Sequence, residues 1–85
     1  MSRQSLIAIQ QAKVAASRGD YSRARAILRD AARDDPRNEE ILLLFAKFAQ
    51  KREHAIQCYE RVLEINPYNE TAIRALDRAY AQQAR

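Results

Sequence analysis

The chain has 85 residues, and a domain of that size buries only about 60–65% of the surface its unfolded chain exposes. Hydrophobic residues make up 47% and charged residues 31%, near globular averages, which excludes wholesale disorder; one Gly and two Pro exclude the turn-rich all-β folds. Fifteen Lys and Arg against eleven Asp and Glu leave a net charge of +4, and a lone Cys58 excludes an intrachain disulfide and suits a reducing compartment.

Ala, Arg, Gln, Glu and Leu dominate, and these residues favour helix, so an all-α chain of five helices is predicted. Residues 1–4 are expected to be disordered. They contain no apolar stretch of the signal-peptide kind, which points to the cytoplasm. A first helix is predicted over 5–17, ended by Gly19-Asp20, because Gly accepts the left-handed cap. The second covers 22–34 and stops before Pro36, which has no N–H to continue the ladder. Asn38 is the N-cap expected for a third helix over 39–50, with Glu39 and Glu40 favouring its positive end. A fourth helix runs over 54–65 before Pro67, and a fifth over 70–83 after the N-cap candidate Asn69. The longest apolar run, Ile41 to Ala46, is far short of the ~18 residues that would argue a membrane span.

The elements repeat. Ala24, Leu28, Ala31 and Pro36 recur 31 residues on as Ala55, Tyr59, Val62 and Pro67. Pro36-Arg37-Asn38-Glu39 likewise returns as Pro67-Tyr68-Asn69-Glu70. Ala8, Gln11, Ala12 and Ala15 align with Leu42, Phe45, Ala46 and Ala49 at a shift of 34, and these align with Ile73, Leu76, Asp77 and Tyr80 at 31. The order is helix A, helix B, A, B and a final A. The run Gly19-Asp20-Tyr21, Ala24, Leu28, Ala31, Pro36 resembles the second half of the tetratricopeptide repeat motif, and the resemblance extends over residues 5 to 80. It implies a right-handed stack of antiparallel helical hairpins, a tetratricopeptide-like α-solenoid. Residues 5–38 would form the first repeat, 39–69 a second with a short loop, and 70–85 a capping helix. Ala8 and Gln11 stand where the family usually has Trp and Leu, so the first helix is expected to pack least well. Asp77 replaces a small residue, which suits a helix that no following helix covers.

The second repeat lacks three residues matching Gly19-Asp20-Tyr21, leaving Gln50-Lys51-Arg52-Glu53-His54 as its connection. A tight hairpin turn is the preferred reading. The rival is one continuous helix over 39–65 that finds its partner on a second chain, as in a domain-swapped dimer.

No arrangement in the sequence supports catalysis. His54 and Cys58, four apart, could share a helix face, but no second Cys or His completes a metal or nucleophile site. No enzyme activity and no cofactor or metal are expected. The aromatics read as packing residues, with Tyr68 free in its turn. Arg25, Arg29 and Arg33 form a stripe on the first B helix. Asp30, Asp34 and Asp35 lie on the neighbouring rows, so a solvated surface outweighs a nucleic-acid face.

The A helices carry the functional expectation. The resemblance implies that their exposed faces line a concave groove, whose residues would be Leu6, Ile9, Gln10 and Lys13, then Leu43, Leu44, Lys47, Gln50 and Lys51. Thr71, Arg74, Ala75 and Arg78 follow on the last helix. Lys13, Lys47 and Arg78 occupy one register position in all three, beside an apolar row of Ile9, Leu43 and Leu44. A basic column beside an apolar strip suits a protein or peptide partner with acidic and apolar residues. The expected role is a non-enzymatic adaptor or scaffold. A homodimer through the same leucines is the alternative, and weak nucleic-acid binding a lesser one. The family's two-carboxylate clamp for chaperone tails uses groove Asn residues, whereas Asn here occurs only at 38, 66 and 69.

Overall fold

The computed structural model describes residues 2–83. Its helices are α1 (Arg3–Ser17), α2 (Tyr21–Asp34), α3 (Glu39–Lys47), α4 (Arg52–Ile65) and α5 (Glu70–Gln83). Four of them start at a polar side chain that accepts a free first-turn N–H, which an isolated helix end would leave unsatisfied. Ser2 accepts from the Ser5 amide, Asp20 from Arg23, Asn38 from Ile41 and Asn69 from Ala72. The Ser2 cap starts α1 at Arg3, so Arg3 and Gln4 are helical rather than disordered as expected. Met1 of that expected disordered segment, and residues 84–85 of the capping segment, lie outside the described residues.

α1 ends as the sequence predicts. Gly19 is left-handed at φ 79°. The Asp20 amide donates to the Ala15 carbonyl and the Gly19 amide to Ala16, both at 2.9 Å, the paired bonds of a Schellman cap. The second hairpin has no such glycine, and α3 stops at Lys47 instead of residue 50. The Phe48 carbonyl accepts a 2.9 Å hydrogen bond from Arg25 Nη1 of α2, and the Phe48 ring lies 5.9 Å from Tyr21. These contacts hold the last turn open while the chain reverses through Phe48–Lys51. α4 then begins at Arg52, with no side-chain cap on Lys51. Helix is therefore broken between residues 47 and 52, and α3 packs on α4 of its own chain. The continuous helix over 39–65, and the domain swap built on it, are not what the chain adopts.

α1 pairs with α2 and α3 with α4, α3 also touches α1 and α2, and α5 lies along α4. The stack measures 38 × 27 × 17 Å; its short axis holds two helix layers at the usual ~8–10 Å spacing. Small residues on α1 and α2 (Ala12, Ala15, Ala24, Ala31) let these helices approach around Leu28 and Ile41, both fully buried. Leu44 and Phe45 of α3, with Phe48 just past its end, close this first core. Leu42, Val62 and Ala72 form a second core with Tyr59, Leu63 and Ile65.

Each repeat is also tied at its base by one carboxylate between two donors. Asp35 Oδ2 accepts from Ser5 Oγ at 2.7 Å and from Asn38 Nδ2 at 3.0 Å. Thirty-four residues after Ser5 stands Glu39, and there the roles invert: Glu39 Oε1 accepts from Asn66 and Asn69 at 2.9 and 2.8 Å. Hydrogen bonds to the charged form lower both acids below their ordinary values of 3.8 and 4.5, through Ser5 then Asn38 for Asp35 and through Asn69 then Asn66 for Glu39. A carboxylate lowered on folding contributes stability that is present above its unfolded pKa and lost as pH falls through the folded one. The melting temperature should therefore stay level from neutrality to about pH 5 and drop below about pH 4.5. In an Asp35→Asn, Glu39→Gln variant the acid drop should be shallower, as thermal melts across pH would show.

A candidate protein-binding face on the A helices

The predicted groove residues divide into three groups. Lys47, Lys51 and Arg78 are exposed and make no ion pair among the described residues. Lys47 Nζ lies 5.9 Å from the centre of the Phe48 ring, a cation–π distance. Arg78 lines a cleft between α4 and α5 together with Tyr59 and Ile56. Burial pushes the Tyr59 hydroxyl above its ordinary pKa, and the Arg78 charge opposes that shift. Lys51, named as a groove residue, lies in the connection after α3, where it is the N-cap of α4.

The second group is exposed but already paired. Lys13 Nζ is 3.7 Å from Glu40 Oε1, so its charge is balanced across the α1–α3 seam. Arg74 Nη2 is 3.6 Å from Glu70 Oε2, one turn back on α5.

The third group is turned inward. Ile9 is only 2% exposed and belongs to the first core, so it cannot line a surface groove. Ala75, also placed in the groove, is buried at the α5 contact. Leu44 packs half-buried on the first core and Leu43 on the second, so the leucine row bridges the two cores instead of standing clear of them. The apolar residue left open on this face is Leu6, 52% exposed. Leu43 keeps one edge in a shallow cleft whose walls carry Glu39, Glu40 and Arg37.

The tetratricopeptide repeat family model matches residues 7–48, which span α1, α2 and α3. The chain belongs to the tetratricopeptide repeat family. Its five helices fit tetratricopeptide repeats plus a capping helix, and the family implies a protein–protein interaction module on a fold that is generally non-enzymatic. No curated protein matches the chain. Among the described residues, no helix is long and apolar enough to cross a membrane.

The remaining tetratricopeptide positions follow the stack. Ile41 and Phe45 of α3, with Phe48 just past its end, meet the preceding hairpin, as Ala72 does on α5. Their register equivalents on α1, Ile7 and Val14, are 49% and 47% exposed, because no repeat precedes them among the described residues. Ile73 and Tyr80, read as packing positions, are also exposed, since no B helix follows α5 among the described residues. The Tyr80 hydroxyl instead donates to Glu60 at 2.8 Å. Arg25, read as part of a solvated stripe, is half-buried on the Phe48 carbonyl, while Arg29 and Arg33 are exposed. That contact was not legible, because it joins residues 23 apart through a backbone oxygen. His54 is exposed, and Cys58 is half-buried with its thiol pKa raised by burial, the opposite of an activated nucleophile.

Proposed function

We propose that the chain binds an extended acidic-apolar protein segment along its A-helix face. The observation that carries this reading is that Lys47 and Arg78, at one register position on successive A helices, are exposed and unpaired among the described residues. Lys51 adds a third charge beyond the end of α3. Glu39 and Glu40 flank the open edge of Leu43, so the partner's acidic residues belong near Lys47 and Arg78 and its apolar residue near Leu43. Exposed charge pairs are individually worth about 0–1 kcal/mol, so these cations act on encounter rate and selectivity more than on affinity. The inward turn of Leu44 and Ile9 leaves less apolar contact than three free side chains would give, which favours a weak, fast-exchanging complex over a tight one.

The test is a fluorescence-anisotropy titration of a labelled Glu-Leu-Glu-Leu peptide at several salt concentrations. Lys47→Glu should slow association and flatten the salt dependence while leaving the melting temperature nearly unchanged. Equal binding by wild type and variant would remove the groove reading.

A further inference from the structure

A second cleft lies on the first hairpin, lined by residues other than those of the candidate A-helix face. A cleft of about 590 Å³ opens between α1 and α2, floored by Ala8, Ile27 and Ala31 and rimmed by Asp30, Asp34 and Asp35. Its size falls within the ~300–1,000 Å³ usual for ligand pockets.

The repeat explains why it exists. The second repeat places Leu42, Val62 and Ile65 at the positions that Ala8, Ala31 and Asp34 hold in the first. These three larger side chains are buried or half-buried in the second core. The first hairpin thus lacks bulky side chains at positions where its sister hairpin has them, and the missing volume opens to solvent beside a row of carboxylates. Asp35 is engaged by Ser5 and Asn38, but Asp30 and Asp34 are exposed and make no ion pair among the described residues. On a chain of net charge +4, this cleft, whose apolar patch is bordered by Ser2, Gln4, Ser5 and Gln11, has an acidic rim.

We infer that the α1–α2 cleft receives a protein segment with one bulky apolar side chain flanked by Arg or Lys. The side chain seats on Ala8, Ile27 and Ala31, taking the place that Leu42 and Val62 fill in the second repeat, and the flanking cations face Asp30 and Asp34. This occupant has the opposite charge to the groove ligand, so the module would hold two different partners at once.

The chain contains no Trp, so a peptide Trp reports its own burial without background. The probe is an acetylated Arg-Leu-Trp-Arg amide, with Glu-Leu-Trp-Glu as control. The basic peptide should show a saturable blue shift in Trp emission, and an unlabelled Glu-Leu-Glu-Leu peptide should not displace it. Asp30→Lys with Asp34→Lys, both on the exposed rim, should weaken binding by about tenfold or more. Ala8→Leu with Ala31→Val, installing the second repeat's residues, should abolish the blue shift while raising the melting temperature. The inference is overturned by no blue shift at millimolar protein, by an equal response to the acidic control, or by undiminished binding in the Asp variant. It is also overturned if the wild type alone sediments as a dimer that the Asp variant dissociates, since a second copy would then fill the cleft.

Discussion

Leu28→Ala should cost the fold about 2–5 kcal/mol, the range for deleting a fully buried Leu and leaving a cavity that its neighbours only partly close. Leu28 has no exposed surface and sits where α1, α2 and α3 converge, among Ile9, Ala12, Ala24 and Ile41. Its neighbours are largely alanines, whose side chains cannot swing into the void, which places the cost toward the upper part of the range. A domain of this size is expected to have only about 5–15 kcal/mol in total, and each kcal/mol moves its melting temperature by about 4–8 °C. Calorimetry or circular dichroism melts should therefore show a fall of about 10 °C or more. Tyr68→Ala is the matched control, because Tyr68 is 85% exposed in its turn and its loss should stay within about 0.5 kcal/mol.

The second large effect is on binding. Reversing both free groove charges, Lys47→Glu with Arg78→Glu, replaces two attractions with two repulsions toward an acidic partner. At about 0–1 kcal/mol for each exposed pair, the double reversal should weaken an acidic peptide by about tenfold to a hundredfold. Neither side chain pairs with an acid of its own chain among the described residues, so the melting temperature should barely move. The same reversal at Lys13 should have a smaller effect on binding. It would also place two like charges together at Glu40 and so disturb the α1–α3 seam.

The architecture was legible because several independent signals coincide at each boundary. Gly19 needs the left-handed region, Pro36 and Pro67 cannot continue a helix, and Asn38 and Asn69 cap the helices that follow. The early end of α3 was not legible, since it depends on Arg25 reaching the Phe48 carbonyl from another helix. Of the candidate face, only the exposure of its charges was legible. Long cationic side chains usually keep their charged ends at the surface, so the exposure of Lys47 and Arg78 was readable from residue type, whereas the half-burial of Arg25 was not. The orientation of an apolar residue depends on which neighbour covers it. α1 is apolar at Leu6, Ile7, Ala8 and Ile9 in succession, so no single stripe marks its buried face, and Ile9 goes to the core while Leu6 and Ile7 remain outside. Leu43 and Leu44 are split between the two cores because α3, the central helix, is covered on two sides.

Residue-resolved amide shifts during titration with an acidic-apolar peptide test the A-helix face most directly. The predicted result is a contiguous set of perturbed signals from Leu43, Lys47, Lys51, Arg74 and Arg78, with the outward row Arg29 and Arg33 on α2 unmoved. Perturbations confined to α2 and α4, or none at millimolar peptide, would contradict a partner-binding surface on the A helices.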